Sequence, residues 1–149
     1  MSDDSQSVVE MVAPAVPVDP ISAIKTRYPN APSQAVIDSW KQQVPGGKVR
    51  FFELPDGKRA FFLRAISPLE LAKIQDTVAR MDPSKQPLES QILIVTLCTL
   101  WSNFTQSGKL IDMELRQAGA GLPASMQAVI WDLSDYVDPA AMDSLILDL

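Results

Sequence analysis

Histidine is absent from this sequence of 149 residues, and cysteine occurs once, at Cys98. The first absence removes the side chain that most often moves protons near neutrality, and with it most hydrolase mechanisms. The second leaves no intramolecular disulfide, and together they deprive a structural zinc site of its usual nitrogen and sulfur ligands. Long apolar runs are lacking too. The longest, from Ile92 to Trp101, is interrupted by Thr96 and Thr99 and falls well short of a bilayer span. The start, Met1-Ser2-Asp3-Asp4-Ser5, has neither the basic residues nor the apolar core of a signal peptide. These absences predict a cytosolic protein that is not an enzyme, has no cofactor, metal or small-molecule substrate, does not enter a membrane, and works by binding other proteins.

What is present is enough for one ordinary domain, since 46% of the residues are hydrophobic and a chain of this size buries well over half of its unfolded surface. The net charge of −5 conceals a division along the chain. Residues 1–19 carry four acids and no base, residues 20–66 eight bases against three acids, and residues 67–149 five bases against eleven acids. The basic middle and the acidic C-terminal third can meet inside one fold or between copies in a homo-oligomer, and the acidic total disfavours general nucleic-acid binding.

Residues 1–19, with the run Ala13-Pro14-Ala15-Val16-Pro17-Val18-Asp19-Pro20 at their end, predict a flexible or extended arm, and residues 20–149 a single helical domain. From Pro32 the spacing of Val36, Ile37, Trp40 and Val44 is helical, and Pro45-Gly46-Gly47 ends it. Two β-rich runs follow, Lys48–Leu54 and Arg59–Ile66, joined by Pro55-Asp56-Gly57-Lys58, a turn sequence for a hairpin over about residues 48–66. Ser67-Pro68-Leu69-Glu70 is a capping box that opens a helix with Leu71, Ile74, Val78 and Met81 on one stripe. A central helix is predicted from Pro87 to Phe104, apolar except for a strip of Glu89, Thr96, Thr99 and Asn103. Further helices are expected at Asp112–Ala118, from Pro123 with Met126, Val129, Ile130, Leu133 and Val137 inward, and from Asp138-Pro139 with Met142, Leu145, Ile146 and Leu149. The fold class is therefore α+β, mainly α: a small helical domain with one β-hairpin.

Few residues suggest chemistry. Cys98 lies on the inner face of the most apolar helix and reads as core; Asp132 and Asp135 share a helix face and read as solvated; Gly46-Gly47-Lys48 leads from helix to strand, the reverse of a phosphate-binding loop. The hairpin is more informative. Arg50, Arg59 and Arg64 alternate with Phe51 and Phe61, and a two-stranded ribbon keeps both outer edges unpaired, so these five residues are the candidate partner-binding set, by strand addition or aromatic contact. The same basic, aromatic pattern admits an alternative, a small nucleic-acid-binding regulator.

The order of these features resembles that of the small tail-assembly chaperones and baseplate-hub assembly proteins of tailed bacteriophages, over roughly residues 33–136. The shared elements are a helix with Trp40-Lys41, a second strand ending in Arg64 before Ser67-Pro68-Leu69-Glu70, and Cys98-Thr99-Leu100-Trp101. They continue with the turn Ala118-Gly119-Ala120-Gly121-Leu122-Pro123, and Ile130 and Ser134 on the next helix. This chain departs from the pattern at Ser102, where a proline is frequent, and at Ser134-Asp135-Tyr136, where Ser-Gly-Phe is common. The resemblance implies an assembly chaperone or adaptor for tape-measure, hub or baseplate proteins in the host cytoplasm, or a structural protein retained in the virion tail.

Overall fold

A computed structural model describes residues 19–105 and 107–135. The N-terminal arm, Asp19 apart, Val137 and the last predicted helix lie outside the described residues. Backbone contacts divide the chain at Gln34/Ala35 into two compact units. In the first, Pro20–Arg27 forms α1, with proline in the first turn where its missing N–H costs nothing. Lys25 Nζ donates to the Ala31 carbonyl at 2.9 Å and folds the following turn back onto this helix.

The second unit begins at Ala35, within α2, Gln34–Gln43, which buries Ile37 and half-buries Trp40 while Val36, expected inward, is 42% exposed. Pro45–Gly47 makes one 3₁₀ turn, with φ of 72° at Gly46 and 65° at Gly47, a backbone only glycine takes without strain. The predicted hairpin then forms. β1, Val49–Glu53, pairs antiparallel with β2, Ala60–Arg64, and Gly57 supplies φ of 69° in the connecting turn. The capping box also forms: Ser67 Oγ accepts from the Glu70 amide at 3.2 Å and Glu70 Oε1 accepts from the Ser67 amide at 3.1 Å, opening α3 over Pro68–Ala79.

The central helix is shorter than its apolar run predicts. α4 spans Gln86–Cys98, and Thr99–Ser102 leaves it as a strand, β3, antiparallel to β2. An apolar run alone does not distinguish buried helix from buried strand, and here β-branched Thr99 and the aromatic Trp101 suit the pleat, while β2 presents an edge to be filled. Thr99 Oγ1 turns back to donate to the Val95 carbonyl at 2.7 Å where the helix stops. Beyond the strand, Asn103 Oδ1 accepts from the Ala60 amide at 3.0 Å and its Nδ2 donates to the Lys58 carbonyl at 2.8 Å, prolonging the ladder with a side chain. The hairpin is thus not a solitary ribbon, and the β2 edge expected to be free is paired.

The remaining helices among the described residues are α5, Gly108–Gln117, starting four residues before the predicted Asp112, and α6, Gly121–Leu133. α4 packs against α3, α5 and α6, as a central helix should. Ile92, Ile94, Val95 and Cys98 of α4 meet Phe61 and Leu63 of β2, Ile111 and Leu115 of α5, and Met126 and Ile130 of α6 in one core.

Candidate functional site

Strand pleating places four of the five residues of the candidate set, and Arg59 immediately precedes β2. Phe51 pairs opposite Phe62, and Phe52 opposite Phe61, so alternate residues face opposite sides of the sheet. Arg50 and Phe61 therefore share one face, and Phe51 and Arg64 the other. Phe61 is wholly buried, packed edge-on against Phe104 at 5.8 Å, and is core, not contact surface. The opposite face is covered: Phe62 is 3% exposed and meets Phe51 at 5.2 Å, Trp101 at 5.8 Å and Trp40 of α2 at 6.0 Å.

The arginines are engaged within the fold. Arg50 pairs with Asp132 of α6, Arg59 with Glu114 of α5 at 3.5 Å, and Arg64 with Glu70 of α3, while Lys48 lies 3.9 Å from Asp135. The basic middle meets the acidic C-terminal third inside one chain. Asp132 and Asp135, read from the sequence as solvated, are both exposed and serve as counterions.

Of these pairs Arg64–Glu70 is the most enclosed, with side chains 12% and 29% exposed. Arg64 Nη1 and Nη2 donate to Glu70 Oε1 and Oε2 at 2.9 and 2.8 Å, a bidentate geometry stronger than a single ionic contact. Arg64 Nη1 donates also to the Ala65 carbonyl at 2.9 Å. These bonds hold the Glu70 carboxyl down to about 2, mainly through Arg64 and secondarily through the Ser67 amide, and raise the Arg64 guanidinium above its already high value. Neither group exchanges a proton near neutrality.

The pair forms one side of a pocket of about 410 Å³ whose other walls include Trp40, Val44, Pro45 and Leu100, with Gln43 at its exposed rim. Leu100 is there because of an irregularity in the sheet. Phe62 pairs with Trp101 and Leu63 with Thr99, so Leu100 is the extra residue of a β-bulge, a device that re-aims a side chain. A second, more apolar groove of about 340 Å³ runs between α3 and α4 past Ile74, Thr77, Leu93 and Leu97, and Glu70 borders both.

Cys98 is wholly buried, and that burial pushes its thiol up to about 12. Among the described residues no group of three or more His, Cys, Asp or Glu is placed to hold a metal ion, and no helix is long and apolar enough to cross a membrane. Trp40, Glu70 and Leu100 were not in the candidate set. Each carries a signal in the sequence, as Trp-Lys element, capping residue and member of the Cys-Thr-Leu-Trp element, but no spacing rule unites them. No family model, curated protein or solved structure matches this chain.

Proposed function

We propose that this chain is an assembly chaperone or adaptor of a bacteriophage tail, acting on tape-measure, hub or baseplate proteins by protein–protein binding and without catalysis. The observation that carries the reading is spatial convergence: Trp40, Arg64, Ser67, Glu70 and Leu100, from three separate elements of the phage resemblance, line a single pocket. Each element alone is ordinary capping, strand or core chemistry. Their common location supports a shared role as a recognition site.

Exposed apolar side chains support the same reading. Leu69, Leu110 and Met113 are 66%, 50% and 47% exposed, and the last two, three residues apart on α5, share its outward face. Apolar surface of this kind suits a protein that covers a client. The intramolecular pairing of Arg50, Arg59 and Arg64 speaks against the nucleic-acid alternative, because each cation already has a protein counterion to displace a phosphate.

Co-expression of the full chain with tape-measure, hub and baseplate proteins encoded beside it, followed by affinity purification and size-exclusion chromatography, should yield a complex of defined stoichiometry. Failure to associate with any tail protein would overturn the proposal. Mass spectrometry of purified particles then separates a chaperone that leaves from a structural subunit that stays.

A further inference from the structure

We infer that the pocket at Arg64 and Glu70 receives a neutral backbone amide of a partner chain, with an adjacent apolar side chain seated between Trp40 and Leu100. The inference rests on the protein-binding reading above and names what that binding recognises.

Three observations specify the ligand. First, Arg64 commits three of its five N–H donors, two from Nη1 and one from Nη2, leaving Nε–H and one Nη2–H for an incoming oxygen. Second, Glu70 Oε1 accepts from both Arg64 and the Ser67 amide, whereas Oε2 accepts only from Arg64 and retains capacity for a further donor. The pair therefore offers donors and an acceptor side by side, the complement of a peptide C=O and N–H. Third, the indole of Trp40 and the side chains of Val44, Pro45 and bulged Leu100 form apolar walls around that polar floor.

Charge excludes the alternatives. The Arg64–Glu70 pair sums to zero and no other cation among the described residues lines the pocket, so a phosphate or carboxylate would enter without a free counterion and face the Glu70 carboxylate. A cation would meet the Arg64 guanidinium. A volume of about 410 Å³ falls within the range of sites that enclose small ligands or single anchoring side chains.

The test uses the ¹⁵N-labelled full chain titrated with N-acetyl-leucinamide and followed by NMR. Saturable shifts are expected at the Trp40 indole N–H, the Arg64 Nε–H and the Leu100 amide, with a dissociation constant on the order of 1–10 mM for so small a probe. N-acetyl-leucine, which keeps the acetyl amide but carries a carboxylate in place of the terminal carboxamide, should bind at least about tenfold more weakly. Leu100→Phe and Val44→Phe each fill the pocket from a different wall, and either should weaken the amide about fivefold or more while keeping the melting temperature. Absence of saturation by about 50 mM, equal affinity for the anion, or undiminished affinity in both filled variants overturns the inference. If amide binding holds and no tail protein associates, the phage-tail role fails alone. If tail proteins associate equally with wild type and both variants and the amide does not bind, the pocket inference fails alone.

Discussion

Ser134 Oγ accepts a hydrogen bond from the Ile66 backbone N–H at 3.0 Å and donates to the Ile130 carbonyl at 2.6 Å, tying the end of α6 to the junction between β2 and α3. Ile66 is buried, so removing the hydroxyl takes away the partner of an amide that lies largely inside the fold. Ser134→Ala is expected to cost about 1–2 kcal/mol, the penalty for stranding a buried donor. The exposed Ser125→Ala on the same helix should change stability by less than about 0.5 kcal/mol. Urea denaturation of both variants measures the difference.

The Arg64–Glu70 pair predicts a specific dependence on pH. The Glu70 carboxyl is held at about 2, below its unfolded value near 4.3, so the folded state binds the proton less tightly than the unfolded state. Its contribution is complete above about pH 5 and disappears as pH falls towards 2. Glu70→Gln should lower stability at pH 7 by about 1–2 kcal/mol, moderated by the solvent that reaches this side chain. The gap between variant and wild type should close on acidification. Urea midpoints measured for both proteins from pH 7 to pH 2.5 check this, and a gap that stays constant would refute the assignment.

Much of this fold is legible in the sequence because local rules act alone there. Ser67-Pro68-Leu69-Glu70 closes its own capping box, and in Pro55-Asp56-Gly57-Lys58 the Gly57 amide donates to the adjacent Leu54 carbonyl and the Lys58 amide to Asp56 Oδ1, both local bonds. Thr99–Ser102 is different, since the fate of an apolar segment depends on whether an unfilled strand edge waits beside it, and that edge belongs to Ala60–Arg64, some forty residues earlier. α1 was missed although Asp19-Pro20 is an ordinary helix entry, because the prolines before it dominate the reading. The candidate site failed to emerge for the same non-local reason. Alternation along β2 separates Phe61 from Arg64, so a set chosen by proximity in sequence is divided between two faces, while the pocket assembles Trp40, the Arg64–Glu70 stretch and Leu100 from three segments distant in sequence.

Cys98 offers a direct measure of how tightly the core is closed. Its side chain has no exposed surface and burial pushes the thiol up to about 12, so at pH 8 fewer than about one thiol in a thousand is ionised. A disulfide-exchange reagent should leave the native protein unmodified over hours and react promptly in 6–8 M urea, roughly the range that unfolds domains of this size. Rapid labelling of the native protein would reveal an open core and restore the one candidate nucleophile. Cys98→Ser should destabilise by about 1–3 kcal/mol, because it places a hydroxyl among Ile94, Val95 and Leu63.

Phe61 and Arg50 occupy the same face of the sheet and yet predict opposite behaviour. Phe61 fills the core with no exposed surface and contacts Phe52 and Phe104, so Phe61→Ala leaves a large cavity and should cost about 3–5 kcal/mol. Arg50 is 45% exposed and its partner Asp132 is 69% exposed, so Arg50→Ala should cost less than about 1 kcal/mol, and less still at 0.5 M salt. Thermal denaturation at two salt concentrations separates these effects. Any partner binding lost in Phe61→Ala would therefore report partial unfolding, whereas binding lost in Arg50→Ala, with the melting temperature unchanged, would place a contact at the β1 surface.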